Sequence, residues 1–221
     1  MDYREQLRAM PVAQWPAFLT SHSNLPGPRS NLELLHAAAE EADFQTLQNL
    51  IASRDEYLVC CGVAGLGRFD AEPQLRAYAA DDRWRVREGV AMALQRLGDD
   101  DLPAMVTICR TWADDPHPLV QRAAIAGICE PRLLRDGAAR TALELCQRIT
   151  DSLVARTDRK HPDVRTLRKA LGYCWSVAVA ANPQAGLPMF HVLESNPDPD
   201  VRWIVRENLK KKRLTSLTTS A

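Results

Sequence analysis

Apolar residues recur along this chain at helical spacing. Val86, Val90, Ala93, Leu94 and Leu97 fall on one face of a helix, as do Phe44, Leu47, Leu50 and Ile51, and Met105, Ile108, Cys109 and Trp112. Polar residues fill the positions between, the pattern of amphipathic helices that each bury one stripe. Leu143, Leu145, Ile149 and Leu153 predict a longer helix. Leu171–Ala181 is apolar nearly all round, which predicts core positions for Tyr173 and Trp175. Start and stop signals bracket these stripes. Ser30-Asn31-Leu32-Glu33 has the form of a capping box and predicts a helix through about Glu41. Asp82, Asp115 and Asp200 offer side-chain oxygens to unpaired amides, and Pro116, Pro118, Pro162 and Pro199 suit a first turn or the residue before it. Gly98 is a predicted stop.

The stripes repeat. Residues 81–88 and 200–207 both read D-x-x-W-x-V-R-E. Residues 57–64 and 84–91 share the frame aromatic-x-V-x-x-G-V-A, and residues 115–122 and 162–169 keep parts of the same pattern. The anchors are Val59, Val86, Val120, Leu167 and Val205, spaced by 27, 34, 47 and 38 residues. That spacing suits helix-pair repeats whose loops vary in length. Each anchor starts a second, or B, helix. The first, or A, helices are expected over 44–52, 72–80, 102–113, 138–156 and 186–195, and short loops make each pair antiparallel. Residues 1–42 fall outside the frame and are expected to form an N-terminal helical cap, with a short helix from Trp15 and a turn-rich loop around Leu25–Asn31. The array is expected over 43–214, with a flexible tail over 215–221.

Composition narrows the function classes. Lys+Arg 28 balances Asp+Glu 28, so the chain is not a uniformly basic nucleic-acid binder, although charge segregated by face stays open. The 46% hydrophobic content suffices for a continuous core. Six cysteines sit in apolar helical runs without a C-x-x-C, which predicts reduced, buried thiols and a cytoplasmic protein. The first residues carry charge without an apolar stretch, so no signal peptide is expected, and no window is apolar enough to predict a membrane span.

The D-x-x-W-x-V-R-E pattern, the A/B pairing and the Asp followed by a Val-Arg step resemble HEAT repeats of the armadillo-like α-solenoids, over about Phe44 to Leu214. The resemblance implies an all-α, right-handed solenoid of about five antiparallel pairs, with B helices lining a concave side that binds protein partners. In size the chain also resembles the HEAT-like alkylpurine DNA glycosylases, which hold damaged duplex in that groove using aromatic and acidic residues. Trp84, Trp203 and several aspartates are present, but no residue of that catalytic motif is matched.

The position after each anchor holds Cys60, Arg87, Gln121, Arg168 and Arg206. Stacking would align the cations, with Arg122 and Lys169 beside them. Such a ridge either meets a partner or pairs with acids of the next repeat. Trp84 and Trp203 are either packing residues or binding anchors. The partner-binding set is therefore Arg87, Gln121, Arg122, Arg168, Arg206, Trp84 and Trp203. Arg202, Arg206, Lys210, Lys211, Lys212 and Arg213 crowd the last helix. They either complement its dipole or contact nucleic acid, with Arg202, Arg206, Lys210, Lys211 and Arg213 as the candidate contacts. Asp99–Asp101 and Asp114-Asp115 read as cap and loop residues, and the histidines lack zinc-ligand spacing. Gly62, Gly65 and Gly67 are expected to permit close helix contact. The loop 25–31 is either a structural cap or a binding loop. No nucleotide or nucleophile motif occurs, so no catalytic, cofactor or metal residue is expected. The chain reads as a non-enzymatic protein-binding scaffold, with DNA binding as the alternative.

Overall fold

A computed structural model of the chain describes residues 2–135 and 137–218. Among them every regular element is helical. The chain divides into two compact units, Met1–Asp100 and Asp101–Ala221.

The first unit contains α1 (Tyr3–Ala9), α2 (Trp15–Ser21), α3 (Leu32–Glu41), α4 (Phe44–Ile51), α5 (Glu56–Gly65), α6 (Glu72–Tyr78) and α7 (Trp84–Asp100). At its centre lies α5. Its segment Tyr57–Gly65 is buried throughout, and α2, α3, α4 and α7 pack around it. A side chain at Gly62 would place Cβ 2.8 Å from the Leu47 carbonyl oxygen, so glycine there is what lets α4 approach α5. Four residues, 52–55, join this pair, and Asp55 caps α5 by accepting from the amides of Tyr57 and Leu58 at 2.9 and 3.0 Å. The Tyr57 hydroxyl donates to the Asn31 carbonyl at 2.6 Å and ties α5 to the start of α3.

The second unit contains α8 (Leu102–Ala113), α9 (Pro118–Ile128), α10 (Ala138–Ala155), α11 (Pro162–Ala181), α12 (Pro183–Glu194), α13 (Pro199–Leu209) and α14 (Lys212–Thr218). Here α11 takes the central place, against α9, α10, α12, α13 and α14. Its Trp175 is fully buried and donates to Thr150 Oγ1 at 3.1 Å. The fully buried Asn208 of α13 accepts from the Ser176 amide at 2.8 Å and donates to the Leu171 carbonyl at 2.9 Å. A buried amide satisfied on both sides fixes the α11–α13 register more narrowly than apolar packing does.

Among the described residues five A/B pairs are present: α4 with α5, α6 with α7, α8 with α9, α10 with α11, and α12 with α13. All five anchors are buried, Val205 least so at 9%. Their equivalence follows from their place on each B helix, where the apolar stripe meets its A partner and a neighbouring B helix of the same unit.

Several local expectations are corrected. The cap of α3 is Asn31, which accepts from the Leu34 amide at 3.1 Å, not Ser30. His117 and His161 cap α9 and α11 through ring nitrogens, and Asp198 caps α13, so Asp115 and Asp200 stand beside the cap. The α7 helix continues through Gly98 to Asp100, and Phe44 is 45% exposed rather than part of the buried stripe. Helix α1 has no counterpart in the sequence reading. Helix α3, expected in a cap separate from the array, packs directly on α5. Helix α14 crosses the boundary placed at 214/215, and residues 219–221 of the expected tail lie outside the described residues.

Candidate functional site

The arginine positions that the repeat frame aligns meet different fates. Gln121 is 2% exposed, and its amide donates to the Ala113 carbonyl at 3.1 Å and Ser152 Oγ at 2.9 Å, so a partner cannot reach it. Arg87 donates to the carbonyls of Asp81 and Asp82 and closes its own helix start. Arg168 is a cross-repeat post: it pairs with Asp200 of the next B helix and lies 4.6 Å from the centroid of Trp203. Trp203 in turn rests on Gly172, where an added Cβ would come within 2.9 Å of the indole. Arg206 is exposed, and Arg122 is half-buried.

Trp84 matches Trp203 in the sequence frame but not in its surroundings. It is 51% exposed, with the Arg85 guanidinium 4.5 Å from its centroid. Arg85 is held by Glu56 of α5 at 3.0 Å. Trp84 forms one wall of a groove of about 370 Å³ within the first unit, floored by Leu35, Cys60 and Met92 and flanked by Leu32, which is 48% exposed. Arg29 and Ser30 of the loop before α3, and Glu88 of α7, line it too. The 25–31 loop contributes the groove wall at Pro28–Ser30. Arg29 is exposed and forms no ion pair among the described residues.

A second surface lies on α11 and α13. Arg165, Lys169 and Tyr173 make one exposed row on α11, and Arg202, Arg206 and Lys210 one on α13, each at i, i+4, i+8. Tyr173, expected in the core, is 41% exposed. It stands on the side of α11 away from Trp175, which takes the core position. The Arg213 guanidinium lies 4.8 Å from the Tyr173 centroid and donates to its hydroxyl at 3.1 Å, and Lys211 Nζ lies 5.7 Å from the same centroid.

The six cysteines are buried and unpaired. Burial raises the thiols of Cys60 and Cys109 to about 12, so both stay protonated near neutral pH. Among the described residues no cluster of three or more His, Cys, Asp or Glu is placed to hold a metal. None of their helices is long and apolar enough to cross a membrane.

A family model described as HEAT repeats matches residues 32–129. The match begins at α3, eleven residues before the expected start of the array. No curated protein matches the chain. Among solved structures, an engineered protein from a structural-genomics consortium is similar at 14% identity, covering 97% of this chain and 96% of that one with a TM-score of 0.39. A designed armadillo repeat protein in complex with the peptide (KR)4 is similar at 12% identity, covering 96% and 98%, with a TM-score of 0.40. A second designed armadillo repeat protein reaches 15% identity and a TM-score of 0.38, covering 96% and 98%.

Sequence reasoning missed the groove because its parts come from three separated segments, Pro28–Leu35, Cys60 and Trp84–Met92. Lys169 was legible as a neighbour of the arginine ridge, whereas Arg165 joins it only through the i, i+4 spacing that also carries Tyr173.

Proposed function

We propose that this HEAT-repeat chain is a binding scaffold for a protein partner, anchored at the Trp84 groove. One observation carries the reading: a tryptophan more than half exposed, in an apolar groove whose rim is charged. Exposed tryptophan is costly in water and is the residue type most often found at the energetic centre of protein interfaces. Met92 supplies an adaptable floor, and Arg85 holds the indole from one side, so little order has to be gained on binding. Cation–aromatic stacking of this kind keeps the ring in one orientation.

A photo-crosslinking residue placed at position 32 tests the proposal, because Leu32 flanks the groove without forming its floor. The expected result is a crosslinked partner whose capture falls by about tenfold or more in Trp84→Ala, as for an interface hot spot, with the helical circular dichroism unchanged. Equal capture by Trp84→Ala would overturn the assignment. Charge reversal at Arg168 is not a test of binding, because it also removes the partner of Asp200.

A further inference from the structure

We propose that the exposed face of α11 and α13 binds single-stranded nucleic acid, with phosphates on the two cation rows and a base on Tyr173. The inference concerns residues that the Trp84 reading does not use.

The chain as a whole carries no net charge, yet this face does. Its acids are already engaged. Asp200 is taken by Arg168 and Arg159, and Asp198 by Arg159. Glu207 is bound by Lys210 at 2.7 Å. That hydrogen bond, with the charges of Lys210, Arg206 and Lys211 around it, holds the Glu207 carboxyl below the ordinary carboxylate range. Arg165, Lys169, Arg202 and Lys212 make no ion pair or side-chain hydrogen bond among the described residues, and Arg206 makes none beyond its attraction to Glu207. Along each helix the cations repeat every four residues, about 6 Å of rise, and the two helices pack directly together. Arg165 and Lys169 on α11, with Arg202 and Arg206 on α13, thus make two short rows of cations in excess of the acids beside them, which attract a polyanion and release its counterions.

Tyr173 separates nucleic acid from an acidic polypeptide. Its ring is exposed among cations, with Arg213 and Lys211 against it. Carboxylates gain nothing from a ring in that setting. A base does: it stacks on the aromatic surface while its phosphates meet the neighbouring cations. A duplex keeps its bases stacked on one another and has no free π-face to offer at this point, so the single strand is preferred.

Fluorescence anisotropy of a labelled oligothymidylate with the full chain tests this. Binding is expected at low salt and should weaken steeply as salt rises. Arg202→Glu with Arg206→Glu should weaken it at least tenfold, and Tyr173→Ala about fivefold or more. Tyr173→Phe should bind more tightly than Tyr173→Ala, because the ring remains. Trp84→Ala should leave oligonucleotide affinity unchanged, so the two sites fail or hold separately. No binding at low salt would overturn the proposal. So would wild-type affinity in Tyr173→Ala, displacement by polyglutamate as readily as by unlabelled oligonucleotide, or tighter binding to duplex of the same sequence.

Discussion

The starts of α7 and α13 carry the same eight-residue pattern and build different things from it. The difference comes from the preceding B helix, α5 or α11. Ahead of α13, Arg168 reaches Asp200 and covers Trp203, while Gly172 gives the indole a floor. In the matching place ahead of α7 stands Cys60, which is buried and donates only its thiol, to the Arg85 carbonyl at 3.0 Å. Asp81, the counterpart of Asp200, therefore pairs with its own near neighbour Arg83 at 2.8 Å. That choice propagates. Arg83 is occupied where its counterpart Arg202 stays unpaired. Arg87 closes backbone carbonyls where its counterpart Arg206 faces solvent. Trp84 is left as a platform and Trp203 becomes a post. One side chain on the preceding helix thus decides whether a repeated segment makes an apolar groove or frees its cations for a basic face.

The largest expected effect separates the two tryptophans. Trp203→Ala removes a half-buried ring from between two repeats and should cost about 2–3 kcal/mol, somewhat less than a fully buried tryptophan. Trp84→Ala should change stability by no more than about 0.5 kcal/mol, as surface changes generally do. Urea denaturation of both variants checks this, and equal losses would mean that the two segments are equivalent after all. Next in size is Arg168→Ala, expected to cost about 1.5 kcal/mol. It deletes a charged hydrogen bond to Asp200 and the stack on Trp203, while Arg159 remains 3.6 Å from Asp200 and offsets part of the loss. The tryptophan emission should shift to the red as Trp203 is uncovered. An unshifted spectrum would show that Gly172 alone seats the ring.

This contrast explains how far the sequence could be read. Helix pairing and the buried anchors were legible, because a stripe of apolar residues at helical spacing has to be covered whatever its neighbours are. The A helices were placed to within a few residues for the same reason. Surface roles were not legible. Trp84 and Trp203 are indistinguishable in the pattern, and what distinguishes them lies at Cys60 and Arg168, in other repeats. Tyr173 reads as core because its segment is apolar nearly all round, but a helix packed on several sides keeps one narrow exposed face. The caps slipped by one or two residues because several neighbouring Asp, Asn and His side chains compete for the same amides, and loop geometry chooses between them.

The smallest effect sharpens the comparison through pH. Asp198 caps α13, accepting from the amides of Asp200 at 2.9 Å and Val201 at 3.4 Å and pairing with Arg159. Burial pushes its carboxyl up, but Arg159 and the two amides outweigh burial and hold it below the ordinary aspartate range. A native value below the unfolded value, about 3.9, means that the charge stabilises the folded chain fully above that pH. The contribution is lost as pH falls through the native value. Asp198→Asn keeps a capping oxygen and removes the charge, so it should cost about 0.5–1 kcal/mol near neutral pH. The gap to wild type in urea midpoints should close as pH falls below about 3.9. Ala79 stands in the matching place ahead of α7, so that helix start lacks this charge. A gap that stays constant down through the carboxylate range would show that Asp198 acts through its capping oxygen alone, and that the two helix starts differ less in their electrostatics than Arg168 and Cys60 imply.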